Sequence, residues 1–470
     1  MRAVVTLALV HGAASQLYPA YCGKDMNLNT IQPLKDDARA AQLVQVQLVV
    51  RHGARAPCFA DKCWKEYDEE WNCNAREIVR PQFGRADEAL DTLEFSKVFT
   101  AAHNIRRGNC SLGQLIDQGF RQEVENAKSV AASICMRDTW SRNFKKAYIG
   151  AANGLFGATE SVDLTNTADI YFESSDIPRT LQSGQIIAEA LFPSQARGKA
   201  VPWHTQDLAV STYFPNAAMC PALAHLNKQW SDSPEFYAWK TNPANLELDL
   251  ALDEKLVTYS PASLYDCLMT SKCTDRPIPF SDELFDLIVK REETTAIMQY
   301  LYEDRNIAKL GMKAFLESIV RRLQAATSAT TRPLRLALYG AHDTTIMALL
   351  AALGGEAWLK EWAPYASHVI FELYRLTATQ DYAVRILYQG QPLLLGNCTS
   401  ELCPLDNLAK LVATMPDCDL PALAVNNIVV KHVPMMLMLV FGIALGGAVG
   451  FIISRRYFQR QKEYPYQRLD

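Results

Sequence analysis

An apolar run that stops abruptly in charge constrains this chain more than any other feature. Residues 43–50 read LVQVQLVV, mixing alternation with a continuous apolar finish, as expected of a buried β-strand. The run ends at Arg51-His52-Gly53-Ala54-Arg55-Ala56-Pro57. The pattern recurs twice. Ala168–Phe172 leads into Glu173-Ser-Ser-Asp-Ile-Pro-Arg179-Thr180, then a helical pattern through Leu181, Ile186, Ile187, Ala190 and Leu191. Leu334–Tyr339 leads into Gly340-Ala341-His342-Asp343-Thr344-Thr345, then a helix through Ile346, Leu349, Leu350 and Leu353 that Gly354-Gly355 should stop. Strand, polar turn and helix in repetition predict an α/β fold with a largely parallel sheet.

Ligands of such sheets bind outside the carboxyl ends of the strands, so the three clusters should share one crevice. It would gather Arg51, Arg55, Arg179, His52, His342 and the carboxylate of Asp343. Guanidiniums are fork-shaped donors matched to phosphate oxygens, and helix N-termini facing the same space add N–H groups and positive dipole ends. Taken singly, an Arg after a strand is ordinarily a surface ion-pair partner, and a strand-end His is ordinarily structural. Density sets the first cluster apart. RHGxRxP fixes five residue types in seven positions, which chance produces about once in ten thousand chains of this length.

Composition removes several alternatives. The 470 residues carry 47 Lys+Arg and 51 Asp+Glu, with 49% apolar and 21% charged residues. These values exclude a disordered polyampholyte, a collagen-like repeat and a strongly basic nucleic-acid binder. A mean hydropathy of −0.08 excludes a polytopic membrane protein.

The ends place the chain. Met1-Arg2, an apolar run from Ala3 to Val10 and the small residues to Ser15 describe a secretory signal peptide over 1–15, cleaved after Ser15. Residues 433–454 are uncharged and span roughly 33 Å as a helix, enough to cross a bilayer. Arg455, Arg456, Arg460 and Lys462 follow at once, which assigns 455–470 to the cytosol and the ectodomain, 16–432, to the lumen or the cell exterior. Gly442, Gly446 and Gly450 form a small-xxx-small seam that permits a homodimer. Tyr466-Gln-Arg-Leu469 resembles the tyrosine-based sorting signal of endosomal and lysosomal membrane proteins. The expected location is therefore a single-pass type I protein of the endosomal/lysosomal or surface membrane.

All twelve cysteines lie between signal and span, an even number that favours disulfides over free thiols. The Cys58-x4-Cys63 and Cys398-x4-Cys403 spacings lack the His or second CxxC that a zinc site needs, so no metal is expected. Asn109-Cys-Ser111 and Asn397-Cys-Thr399 are lumenal N-glycosylation sequons whose middle cysteines set disulfide formation against glycan transfer. With five basic and two acidic side chains in 455–470 and Arg2 in the signal, residues 16–454 carry a net −8. The near-neutral total of −4 thus conceals an acidic ectodomain enclosing a cationic pocket.

The sequence strongly resembles the histidine acid phosphatases. Arg51–Pro57 matches their RHGxRxP signature, His342-Asp343 their HD pair, and Ser175-Asp176-Ile-Pro-Arg179-Thr180 their segment with the Arg in register. Gly113–Gly119 (GQLIDQG) resembles their GQLTxxG helix start, with Ile116 at the usual Thr. Pro364-Tyr365-Ala366-Ser367 and Phe371-Glu372-Leu373 resemble a late core strand. The likeness runs from about 43 to about 405. It implies a phosphoglycerate-mutase-like, mostly parallel sheet flanked by helices, with a core of about 40–194 and 331–420 and a helical cap of about 195–330. Helical stretches such as Phe285–Met298 and Met312–Leu323 suit that cap.

The resemblance implies that His52 is the nucleophile of a phosphohistidine. Arg51, Arg55, Arg179 and His342 would hold the phosphate, and Asp343 would be the proton donor. The expected substrate is a phosphate monoester, with no cofactor, since arginines supply the charge that Mg²⁺ supplies elsewhere. Two other readings use the same residues: a silent receptor ectodomain that binds phosphate, and a phosphotransferase or mutase.

Overall fold

The computed structural model describes residues 21–23, 31–32, 34, 41–58, 63–74, 78–79, 95–96, 107–127, 155–156, 162–192, 200–253, 261–328 and 333–418. The chain divides into two compact units, Met1–Asp417 and Cys418–Asp470, and the fold below is that of the first. The expected signal at 1–15, the span at 433–454, and Tyr466 and Leu469 lie outside the described residues. Among the described residues no helix is long and apolar enough to cross a membrane.

The strands of the main sheet are β1 (Ala41–Arg51), β2 (Ile170–Ser175), β3 (His204–Gln206), β4 (Leu336–Ala341), β5 (His368–Leu376), β6 (Tyr382–Tyr388), β7 (Gln391–Leu393) and β8 (Cys403–Pro404). The helices are α1 (Asp117–Ala127), α2 (Pro178–Leu191), α3 (Pro221–Ser231), α4 (Pro234–Lys240), α5 (Pro243–Asp253), α6 (Pro261–Cys273), α7 (Asp282–Ala325), α8 (Asp343–Gly354) and α9 (Leu405–Ala413). The sheet runs β8-β6-β5-β1-β4-β2-β3, with β7 paired to β6.

The three expected strand ends are present, and β2 and β4 lead straight into helices α2 and α8, but the sheet is mixed and not mostly parallel. β1, β4, β2 and β3 are parallel, whereas β5, β6, β7 and β8 pair antiparallel. The reason lies in the connections. Helix α8 carries the chain away from the strand ends, and residues 358–367 bring it back before β5 begins. There the Arg51 N–H donates to Ser367 O (2.8 Å) and the Ala366 N–H to His52 O (3.3 Å). β5 therefore starts at the site and runs away from it. Residues 377–381, which join β5 to β6, are too few for a crossover and form an antiparallel hairpin.

Both faces of the sheet are covered. Val46, Leu48 and Val50 of β1, with Leu336, Leu338 and Ile370, pack with Ile187 and Leu191 of α2. Val49, Ala337, Tyr339, Phe371 and Leu373 pack with α8 and the second half of α7. Each such aliphatic or aromatic side chain contributes roughly 1.5–3 kcal/mol. The glutamines that interrupt β1 are buried too, so its alternation does not mark a solvent face. Gln47 Nε2 donates to Gln45 Oε1 (2.8 Å) and Ile319 O (3.0 Å), and Tyr339 Oη donates to Gln47 Oε1 (2.8 Å).

Helices α3–α7 lie between β3 and β4 in sequence. The two helical stretches expected within 285–323 form one element broken at Tyr302–Arg305, where Glu303, Asp304 and Arg305 have positive φ. The break lets the first half (Phe285, Ile288, Val289) pack with α5 and α6, while the second half (Met312, Leu316, Ile319, Leu323) packs on the sheet. Disulfides join Cys22–Cys273, Cys63–Cys267, Cys73–Cys110 and Cys398–Cys403. Two of these tie α6 to distant N-terminal segments. Cys58 is a free thiol, an exception to the expected preference for disulfides.

The turn after β1 lies directly on the start of α1. A Cβ on Gly53 would stand 2.5 Å from Gly119 O, and one on Gly119 would stand 2.0 Å from Ala54 O. Only paired glycines permit this approach. Gly119→Ala should therefore destabilise the full chain by about 1–3 kcal/mol, the usual cost of forcing atoms into a packed contact. A lowered thermal midpoint is the expected result, and an unchanged midpoint would show that the contact relaxes freely.

Candidate active site

Parallel register brings the charged clusters together. Arg51 of β1 pairs with Ala341 of β4, and Glu173 and Ser174 of β2 pair with Tyr339 and Gly340. The His52 N–H donates to Ala341 O (3.0 Å), so the residues after both strands leave the sheet side by side. The His52 and His342 rings stand 5.8 Å apart, edge to face. His342 precedes α8, where its N–H donates to Thr345 Oγ1 (3.1 Å), and Asp343 opens the helix. Arg179 lies in the first turn of α2 behind Pro178. Its Nη1 and the Cys58 thiol face Gly113, where a Cβ would stand 2.9 and 2.7 Å from them, so the missing side chain leaves room for both.

Arg51 is fully buried, and its charge is met on several sides. One Nη bonds Ala363 O, while the other bonds Tyr21 Oη (3.0 Å) and Asp343 Oδ2 (2.9 Å). The rings of Tyr365 and Tyr21 lie 4.2 and 4.9 Å from its guanidinium carbon. Asp343 Oδ2 also accepts from the Trp362 indole (3.1 Å), and Oδ1 accepts from the Thr344 N–H (2.8 Å). Burial alone would raise the Asp343 carboxyl, but Arg51, Arg55 and the indole outweigh it and hold it below the usual carboxylate range. In the site without phosphate, Arg51 is the direct partner of Asp343.

His52 Nδ1 lies 2.8 Å from Gly53 O. A carbonyl can only accept, so Nδ1 carries the hydrogen and Nε2 keeps a lone pair. Burial first, then Arg179, Arg51 and Arg55, push the imidazole well below its ordinary pKa. Burial and Arg179 likewise push His342 down to about 3. Both rings are neutral at mildly acidic pH. Among these site residues, Arg51 Nε, Arg55 Nε, Arg179 Nε and His342 Nε2 are buried without a hydrogen-bond partner. Orphaned buried nitrogens are costly unless an acceptor reaches them, and an oxyanion meets that demand.

The structure thus brings together His52, His342, Asp343, Arg51, Arg55 and Arg179. Asn109 and Asn397 lie elsewhere, both exposed, and each sequon's cysteine is bonded (Cys110 to Cys73, Cys398 to Cys403). Among the described residues no cluster of His, Cys, Asp or Glu has the make-up of a metal site. Sequence reasoning missed Tyr21, Trp362 and Asp266, which pair with site residues from outside the three strand ends. The signals available were indirect: Cys22 beside Tyr21, Cys267 beside Asp266, and the Pro364-Tyr365 segment two residues after Trp362.

The model of the histidine phosphatase superfamily (branch 2) matches residues 42–389. The chain belongs to this family. Counting factor 60 of Dictyostelium discoideum is 28% identical over 419 residues, covering 86% of this chain and 93% of that protein. Lysophosphatidic acid phosphatase type 6 of Mus musculus is 25% identical over 401 residues, covering 81% and 86%. The phytase of Citrobacter braakii shares the fold, with a TM-score of 0.51 at 13% identity over 81% of this chain and 100% of its own. As a member of the histidine phosphatase superfamily, the chain is a hydrolase of the acid phosphatase class.

The buried imidazoles set a pH dependence of stability. His52, His342 and His368 have folded pKa values below the unfolded value of about 6.5, the last two at about 3. The unfolded chain binds more protons in that window, so stability falls as pH drops from 6.5 towards 3. Burial raises the carboxyls of Glu123 (to about 8), Glu292, Glu361 and Asp286, which oppose this in sign, whereas Asp343, held low by Arg51, acts with the imidazoles. The thermal midpoint should therefore fall from pH 6.5 to 4.5, and orthophosphate should restore part of it by occupying the pocket. A midpoint that rises on acidification would contradict this balance.

Proposed function

We propose that this phosphatase hydrolyses phosphate monoesters through a phosphohistidine on His52, in a type I membrane protein with a lumenal or extracellular ectodomain. The orphaned nitrogens of the site and the free Nε2 of His52 carry the reading. Arg51, Arg55, Arg179 and His342 would hold the phosphoryl oxygens while Nε2 attacks phosphorus and the ester P–O bond breaks. Asp343 would protonate the leaving oxygen. For that it must first hold a proton. A phosphate dianion engages Arg51 and adds like charge, and both effects raise the carboxyl. Asp343 would then take a proton from the water that cleaves the N–P bond, releasing orthophosphate and restoring His52.

The secretory setting rests on the apolar segments at 1–15 and 433–454 and on disulfides such as Cys22–Cys273, Cys63–Cys267, Cys73–Cys110 and Cys398–Cys403, which suit an oxidising compartment. Asn109 and Asn397 are exposed as glycan sites must be. The short tail with Tyr466 and Leu469 would direct the protein to endosomal or lysosomal membranes, and the glycine seam would pair two copies.

Full-length protein in detergent should release phosphate from p-nitrophenyl phosphate below neutral pH with a chelator present. His52→Ala should lower turnover at least a thousandfold and abolish an acid-labile, alkali-stable phosphoprotein trapped by quenching. Asp343→Asn should impair alkyl phosphates far more than p-nitrophenyl phosphate, whose leaving group departs without a proton. Normal turnover by His52→Ala would sink the mechanism, and equal losses on both substrates would remove Asp343 as the acid.

A further inference from the structure

Arg55 is nine-tenths buried, and its charge is met from an unexpected quarter. Arg55 Nη1 lies 2.6 Å from Asp266 Oδ1, and both side chains are below 10% exposure. The other carboxylate oxygen, Oδ2, accepts the Cys58 N–H (2.7 Å), the residue that closes the RHGARAP turn. One carboxylate thus grips the guanidinium and the backbone three residues beyond it. Asp266 belongs to α6, more than two hundred residues from Arg55. Its neighbour Cys267 is bonded to Cys63, and Cys273 at the helix end is bonded to Cys22. The carboxylate is consequently fixed at its backbone as well as at its oxygens.

We propose that Asp266 is a positioning residue for phosphate capture and transfer, acting through Arg55. This rests on the phosphatase reading of the pocket. Arg55 Nη1 is committed to Asp266 and to Ala56 O (3.2 Å), while Nε has no partner. Holding the Nη1 corner fixes the plane of the guanidinium and keeps the Nε side free for an oxyanion. Both Asp266 oxygens already accept, one from Arg55 and one from the Cys58 N–H, and an ionised carboxylate has no donor to offer an oxyanion, so it steers Arg55 without touching the substrate. It also balances charge. With both imidazoles neutral, three arginines face Asp343 and Asp266, a net of one positive charge. Arg55 keeps its proton despite burial because Asp266 lies beside it.

The side chain matters in kind. An Asn at 266 is isosteric, but it leaves a buried guanidinium without its counter-charge. A Glu keeps the charge but adds a methylene to a packed contact. The test is a double-mutant cycle on the full-length protein, comparing wild type, Asp266→Asn, Arg55→Ala and the double variant. Two readouts apply: kcat/KM with p-nitrophenyl phosphate, and affinity for orthophosphate by calorimetry.

Asp266→Asn alone should lower both at least tenfold. In the Arg55→Ala background it should change either by less than twofold, because the guanidinium through which it acts is gone. Equal losses in both backgrounds would overturn the proposal, since a purely structural carboxylate costs the same with or without Arg55. If Asp266→Asn does not fold, Asp266→Glu enters the same cycle, with a smaller loss expected by the same coupling rule. Wild type that binds orthophosphate without turning over ester would refute the hydrolase mechanism, while the calorimetric arm would still decide the role of Asp266. Wild type that does neither would overturn both.

Discussion

A guanidinium buried at the end of the central strand is the condition the rest of this structure must meet. Arg51 is fully buried, and a desolvated cation is tolerated only with close counter-charge and complete hydrogen bonding. Its partners come from three separate stretches of chain: Tyr21 before the sheet begins, Asp343 at the head of α8, and Ala363 and Tyr365 on the leg that returns to β5. Satisfying one side chain therefore assembles the walls of the pocket. The antiparallel half of the sheet follows from the same need, because the return leg must reach Arg51 before β5 can start.

Parts of this were legible in the residues alone. The end of β1 at Arg51, the turn through Arg179 into α2, the His342-Asp343 entry to α8 and the glycine stop at 354–355 are local patterns, and local patterns survive in sequence. The orientation of β5 was not legible, because nothing in His368–Leu376 distinguishes a strand that enters at the site from one that leaves it. Asp266 was illegible for a related reason. It sits among Leu264, Tyr265 and Leu268 on a buried helix face, and only the approach of Arg55 gives its charge a purpose. The buried glutamines of β1 show the converse error: polar letters at alternate positions suggest water, yet their amides are satisfied inside the core.

Charge balance connects the resting pocket to its chemistry. Each carboxylate at the site neutralises one arginine, Asp343 with Arg51 and Asp266 with Arg55, but their bonds differ. Both accept a backbone N–H, but Asp266 also has an adjacent disulfide, whereas Asp343 keeps 15% of its side chain accessible. An incoming phosphate can displace the second from Arg51 more readily than the first from Arg55. That asymmetry gives two aspartates of the same kind separate duties, one to hold and one to move a proton.

The two cross-links of α6 bear on how the protein comes into being. Cys22 waits for Cys273, 251 residues later, and Cys63 waits for Cys267, 204 residues later. At roughly 5–20 residues per second of synthesis, the first of each pair emerges tens of seconds before its mate. During that interval Arg51 lacks the staple that anchors Tyr21, and Arg55 lacks its aspartate. A nascent chain can display the RHGARAP signature long before it owns a pocket, so a truncated product carries the motif without the means to use it.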